Sequence, residues 1–187
     1  MRIISGVFKG RRIPTTSGPG YRPATQRVRE AVFSILASRG MTWQGSRVAD
    51  LFAGSGSLGL EALSRGAGHV LFAEQNRRAA ALLQQTLRCL GVENERYRVV
   101  VTDVTAMVRK AAAAPFELTF IDPPYGTGLV RGVLTKALEH DWFAPGSMVV
   151  AEVAAAEDPQ SEPVPGLEAL LNRTYGQTRI CLWRRSE

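Results

Sequence analysis

The sequence predicts an α/β fold in which a parallel sheet is covered by helices on both faces. Three observations predict it. From residue 46 onward, short apolar runs of strand length alternate with longer runs of helical period, and such βαβ repetition makes a parallel sheet packed on both sides. At the first strand-to-helix turn stands Gly54-Ser55-Gly56-Ser57-Leu58-Gly59, a G-x-G-x-x-G loop. Acids fall at or beside the ends of four successive strands, Asp50, Glu74, Asp103 and Asp122, where open α/β sheets bind their ligands.

Taken in order, residues 2–5 and 11–13 are β-prone around Gly6, Lys9 and Gly10 and predict a small hairpin or arm. Residues 15–24 form a turn-rich loop with Tyr21 beside Arg22. A helix is expected over 25–39, with Val28, Val32, Ile35 and Leu36 on one face and Gly40 as its stop. Strands are expected at 47–52, 70–74, 98–102, 118–122 and 148–153, and helices at 58–65, 77–90, 105–113 and 129–139. After a surface loop over 157–166, residues 167–174 and 178–184 predict a closing strand pair around Tyr175-Gly176. The chain divides into a basic extension, 1–45, and a larger unit, 46–187.

Composition narrows the function classes. With 187 residues, 45% of them hydrophobic, one domain with a sizeable core is expected. No run of about 18 apolar residues suggests a membrane span, and the first residues lack a secretory apolar core, so a cytoplasmic protein is expected. Cys89 and Cys181 form no CxxC pair and read as free thiols; His69 and His140 stand alone, so no metal is expected. The net charge of +6 is unevenly placed: residues 1–47 hold nine Arg or Lys against Glu30, while the remainder is slightly acidic. A basic N-terminus on an acidic body points to a polyanionic partner. The candidate contacts are Lys9, Arg11, Arg12, Arg22, Arg27 and Arg29.

The chemistry centres on Asp122-Pro123-Pro124-Tyr125. Two prolines end the strand, since neither can donate to a sheet ladder and both fix φ. The resulting stiff loop offers a carboxylate, backbone carbonyls and an aromatic face, the parts that grip a planar ring bearing an amine. Taken alone, a proline turn with a solvated Asp explains the motif equally well.

The glycine loop supplies context. Glu74 follows Gly54 by 20 residues, the spacing of a carboxylate on ribose hydroxyls in dinucleotide sites. Asp50, however, stands where a pyrophosphate would pass and suits an ammonium group instead, and Asp103 can accept from an adenine amine. S-adenosylmethionine fits better than NAD: Asp50 near its amino group, Phe52, Gly54, Ser55 and Gly56 around the methionine part, Glu74 on ribose and Asp103 near adenine. Asp122 and the Pro123 carbonyl would then accept the two N–H bonds of a nucleobase amine while Tyr125 stacks on the base.

These residues carry a resemblance. Arg2-Ile3-Ile4-Ser5-Gly6, Lys9-Gly10-Arg11-Arg12, Arg22-Pro23 and Arg27-Val28-Arg29-Glu30-Ala31 join Asp50-Leu51-Phe52-Ala53-Gly54-Ser55-Gly56, the stretch from Leu58 to Gly66, Glu74 and Asp122-Pro123-Pro124-Tyr125. So read, the chain resembles the RsmD-type family of bacterial 16S rRNA guanine-N2 methyltransferases, nearly end to end. The resemblance implies a Rossmann-like sheet of seven strands with the last antiparallel. It also implies methylation at guanine 966 (usual 16S numbering), on rRNA or an assembling small subunit; separately, a monomer is expected. Ala24 and Gln26 stand where Thr and Asp are common in the family, and Thr86 where Asn is common; these bear on RNA-side contacts, helix capping and packing near the cofactor. A DNA adenine-N6 methyltransferase, a non-catalytic rRNA-binding assembly factor and an NAD oxidoreductase are the competing readings.

Overall fold

The computed structural model describes residues 1–15 and 26–187. Arg22, Tyr21 and Ala24 lie outside the described residues. Seven strands form one sheet: β1 Arg47–Leu51, β2 His69–Glu74, β3 Tyr97–Val101, β4 Phe116–Ile121, β5 Phe143–Ala154, β6 Leu167–Tyr175 and β7 Thr178–Arg185. Their order is β3-β2-β1-β4-β5-β7-β6. β3, β2, β1, β4 and β5 pair in parallel, while β7 lies antiparallel between β5 and β6. The order reverses at β1, so the crevice at its carboxyl end is the switch point where such sheets bind ligands. This is the expected seven-stranded Rossmann-like sheet, with only the last strand reversed.

Helices α1 Gln26–Ser38, α2 Ser57–Arg65 and α3 Arg77–Cys89 cover one face; α4 Val104–Met107 and α5 Leu129–Glu139 cover the other. Alternate strand residues divide between two cores accordingly. Val48, Phe72, Phe120, Val150 and Ile180 pack with α1–α3, whereas Ala49, Leu71, Ile121 and Ala151 pack with α5. Local chemistry sets the helix ends. Asn76 accepts from the N–H groups of Arg78 and Ala79 to open α3, and Gly66, at φ +116°, closes α2 in the left-handed region.

Two expectations need correction, and one element is new. The helix expected over 105–113 is only Val104–Met107, because Trp142 Nε1 takes the Lys110 carbonyl and the Ala112 N–H goes to His140. Strand β5 begins at Phe143, not 148; a register shift against β4 between Phe116 and Leu118 accommodates Pro145 and Gly146. A 3₁₀ turn at Asn94–Arg96 was not anticipated.

The N-terminal residues make a tight hairpin closed by a single Arg2–Arg12 bridge. Ile3 and Ile13, with Val28, Val32, Phe33 and Leu36 of α1, join the core that also holds Val48 and Phe120. Residues 1–45 therefore share a core with the sheet. Gln26 at the start of α1 bonds Glu30, and the Thr86 hydroxyl is satisfied by Leu82 within α3. Cys89 and Cys181 are both free, and no described helix is long and apolar enough to cross a membrane.

Candidate active site

Five strands deliver polar side chains to the same face at the carboxyl end of the sheet. Two residues beyond Phe72, Val48, Phe120 and Val150, all in the α1–α3 core, come Glu74, Asp50, Asp122 and Glu152; two before Ile180 of reversed β7 comes Thr178. Strand alternation alone puts them on one side. Asp122 keeps this alignment past the end of β4 because its N–H reaches the Leu51 carbonyl at 3.3 Å.

Burial makes this row electrically unusual. Asp50 is 2% exposed, and Oδ2 accepts the Gly59 N–H at 2.8 Å. Burial pushes its carboxyl up to about 7 despite that bond, with the Glu74 charge adding to the rise. Asp122, half-buried by its neighbours, is held well above the usual carboxylate range by desolvation first, then by the charges of Glu152 and Asp50. Glu152 is 4% exposed, and desolvation pushes it up to about 7, against the Tyr125 hydrogen bond and the Arg29 charge. Among the described residues, no three or more His, Cys, Asp or Glu are grouped to hold a metal ion. Desolvated carboxyls of this kind favour a partner that brings further positive charge or N–H donors.

The glycine loop stands against these acids. Phe52 takes φ +65°, a conformation that non-glycine residues seldom adopt and that marks a constrained turn. Gly54 and Gly56 follow at φ +55° and +75°, with Ser55 half-exposed between them. A Cβ on Gly59 would lie 2.3 Å from the Phe72 ring, so glycine there lets α2 pack against β2. Glu74 fastens the loop: one oxygen accepts the Gly54 N–H and the other the Asn76 N–H, both at 2.7 Å. Each oxygen keeps a lone pair for a further donor. Asp103 is exposed and caps α4, its Oδ1 accepting from the Thr105 N–H and hydroxyl, bonds that hold it below the usual carboxylate range.

The proline loop is built stiff. Pro123 is buried and Pro124 exposed. The Pro124 carbonyl accepts the Thr127 hydroxyl at 2.7 Å, while Glu157 takes the N–H groups of Gly126 and Gly128. The Tyr125 hydroxyl lies 3.2 Å from Glu152 Oε1 and 2.8 Å from the Thr178 hydroxyl. Burial pushes its pKa up to about 12, so it stays protonated.

Sequence reasoning misplaced Arg29 and missed Glu152. Arg29, expected among the polyanion contacts, is fully buried. Its Nη2 donates to the Arg2 carbonyl at 3.0 Å, and Glu61, Glu30 and Glu152 are its charge neighbours. Its spacing of four and seven from Phe33 and Leu36 already put it on the buried stripe. Lys9, Arg11, Arg12 and Arg27 are exposed. Glu152 follows the same strand-end pattern as the other acids, but its place inside an apolar run hid it.

Comparison with known proteins places this geometry. The family model described as Conserved hypothetical protein 95 matches residues 1–184. Ribosomal RNA small subunit methyltransferase D of Escherichia coli is 35% identical over 152 residues, covering 81% of this chain and 74% of its own. The chain belongs to the RsmD family. Its Haemophilus influenzae relative of the same name is 34% identical over 154 residues, covering 81% and 78% of the two chains. The solved structure of yhhF from Escherichia coli, 30% identical, superposes with a TM-score of 0.85 over 100% of this chain and 98% of that one.

The raised carboxyls give this RsmD-family chain an unusual pH dependence. Asp50 binds a proton up to about pH 7 when folded but only to about pH 4 when unfolded. The folded state therefore holds more protons between those values, and stability falls as pH rises through that window. Chemical unfolding at pH 5 and pH 8 should show the ligand-free protein weaker at pH 8, by roughly 2–4 kcal/mol from Asp50. His69, whose pKa burial lowers, acts in the opposite direction, so the difference between wild type and Asp50→Asn isolates the carboxyl. An equal pH slope in the two proteins would refute the assignment.

Proposed function

We propose that this protein methylates the exocyclic N2 amine of a guanine in 16S rRNA, guanine 966 in the usual numbering, with S-adenosylmethionine as donor. The observation that carries the reading is the row of acids, Asp50 and Glu152 buried and Asp122 half-buried between them, beside a glycine loop tied down by Glu74. Buried carboxyls at such cost are explained by ligands that bring positive charge and N–H donors. The rRNA substrate comes from the relatives named as small subunit methyltransferases and from the exposed cations of the N-terminus.

The residues fit the cofactor. Asp50 would face its ammonium group, Phe52 and the loop of Gly54, Ser55 and Gly56 would surround the methionine part, Glu74 would take ribose hydroxyls and Asp103 the adenine amine. When bound, S-adenosylmethionine supplies a methyl group made electrophilic by its sulfonium. The chain's own task is to prepare the nucleophile. A guanine amine is a weak one, because its lone pair is delocalised into the ring. Asp122 and the Pro123 carbonyl accept its two N–H bonds and turn the lone pair out of the ring plane, while Tyr125, held by Glu152 and Thr178, supports the base. Acceptors fixed where positive charge grows on nitrogen stabilise the transition state more than the ground state. The proton leaves the methylated nitrogen for Asp122 or water. A base must be unpaired or flipped to reach this loop.

Labelled methyl transfer to 16S rRNA, small-subunit particles and duplex DNA, followed by mass-spectrometric mapping, tests the reading. Label on guanine N2 in rRNA is the expected result; label only in DNA adenine would overturn it. The same assay checks the basic arm. Substituting Lys9, Arg11, Arg12 and Arg27 together should weaken rRNA binding and flatten its salt dependence by about 0.7 log units per lost phosphate contact, with cofactor affinity unchanged. Unaltered RNA affinity and slope would show these cations to be a solvated surface only.

A further inference from the structure

Glu152 has more to do than hold Tyr125. It stands on β5 beside the proline loop of β4, in a stretch where Ile121 pairs with Ala151 in parallel register. The next residues, Asp122 and Glu152, are therefore neighbours on adjacent strands, whose backbones run about 5 Å apart. Both project to the same face. The Tyr125 hydroxyl, itself 2.8 Å from that of Thr178, bonds Oε1 of Glu152, and Oε2 carries no hydrogen bond among the described residues. Arg29 is buried on the same face and is a charge neighbour of Glu152. The result is two carboxyl groups at adjacent strand positions on one face, with Oε2 of Glu152 and the Asp122 carboxyl both open to donors among the described residues.

Two adjacent acceptors select a ligand edge with two adjacent donors. Among the RNA bases, guanine alone has a ring N–H beside its exocyclic amine: N1–H next to N2–H. The amines of adenine and cytosine are flanked by a bare ring nitrogen, whose lone pair would face a carboxylate and repel it. We propose that Glu152 is a specificity-determining residue that accepts guanine N1–H while Asp122 accepts N2–H. This rests on the guanine-N2 reading above and adds to it the means by which the base is chosen.

The surroundings of Glu152 agree. Its carboxyl is pushed up to about 7 by burial, against the Tyr125 hydrogen bond and the Arg29 charge, so an arriving N–H donor further favours its ionised form. A site that aims a buried acceptor at a substrate N–H penalises any analogue lacking it, because the acceptor is then left unpaired.

The test compares guanine with 2-aminopurine at the mapped nucleotide of a synthetic rRNA fragment assembled into the active substrate. 2-Aminopurine keeps the amine but has a bare N1. Wild type should prefer guanine by about 100-fold or more in kcat/KM. Glu152→Gln, whose amide can donate to a bare N1, should reduce that preference at least tenfold. The missing O6 of 2-aminopurine affects both proteins alike and cancels in the comparison. Tyr125→Phe, which removes the hydroxyl on Glu152 but leaves the carboxylate, should slow both substrates and keep the ratio. Equal use of the two bases by wild type, or an unchanged ratio in Glu152→Gln, would overturn the inference; if that variant does not fold, Glu152→Ala, which also lacks the carboxylate acceptor, is read for the same loss of preference. Methylation mapped to a base other than guanine would instead overturn the functional reading itself.

Discussion

Asp122→Ala should lose methyl transfer by a factor on the order of 10²–10³ while S-adenosylmethionine affinity stays within about threefold. The magnitude follows from removing one fixed group aimed at charge that develops only in the transition state. The selectivity follows from position: Asp122 lies past the end of β4, whereas the glycine loop is fastened by Glu74 and β1 carries Asp50. Loss of fold does not account for such a result. Asp122 shares its surroundings with the charges of Glu152 and Asp50, so deleting it relieves repulsion and should raise the melting temperature. Asp122→Asn, which retains one acceptor oxygen without the charge, should fall between wild type and alanine. Calorimetric titration of cofactor and single-turnover transfer on mapped rRNA would separate the two effects. Transfer within tenfold of wild type in Asp122→Ala would refute the clamp.

Much of this arrangement was legible in the sequence, and the remainder was hidden for identifiable reasons. Strand–helix alternation shows the sheet because apolar period reports burial directly. Acids at strand ends show Asp50, Glu74, Asp103 and Asp122 because the carboxyl end of a parallel sheet is where polar side chains find ligands. Tertiary bonds are what local pattern does not contain. The alanine-rich run after Met107 reads as helix, yet its backbone is taken by His140 and by the Trp142 indole. Arg29 reads as a surface cation because arginines are seldom fully buried, although the spacing of α1 already included it in the apolar stripe. Glu152 lies in a run of apolar residues, and its value emerges only when β5 is set beside β4.

Glu61→Ala should have the largest effect on stability, about 3 kcal/mol or more, and its functional consequence reaches the far end of the chain. Glu61 is fully buried in α2, and its carboxylate accepts the N–H groups of Ile4 at 2.7 Å and Ser5 at 3.0 Å. Arg65, four residues on, donates to it at 2.8 Å and covers the ring of Phe33 at 4.7 Å. One turn away, Ser64 accepts from Val7 through its carbonyl and from Phe8 through its hydroxyl. The hairpin lies so close that a Cβ on Gly6 would fall 1.8 Å from the Ser64 oxygen. Glu61 and Ser64 are thus the buried anchor of the basic arm. Alanine at 61 leaves the N–H groups of Ile4 and Ser5 and the Arg65 guanidinium without their shared anion, and removes one charge neighbour of buried Arg29, the costly way to break a buried pair. Amide exchange at Ile4, Ser5, Val7 and Phe8 should accelerate, and rRNA affinity should fall because Lys9, Arg11 and Arg12 no longer hold a fixed geometry. Cofactor affinity should fall far less, since Asp50 and Glu74 are bonded to the glycine loop and α2 independently of the hairpin. Glu61→Gln, which keeps one acceptor oxygen, should show the same pattern at smaller amplitude. Unchanged protection of those four amides in both variants would mean that the arm is held by its apolar contacts, Ile3 and Ile13, without the carboxylate.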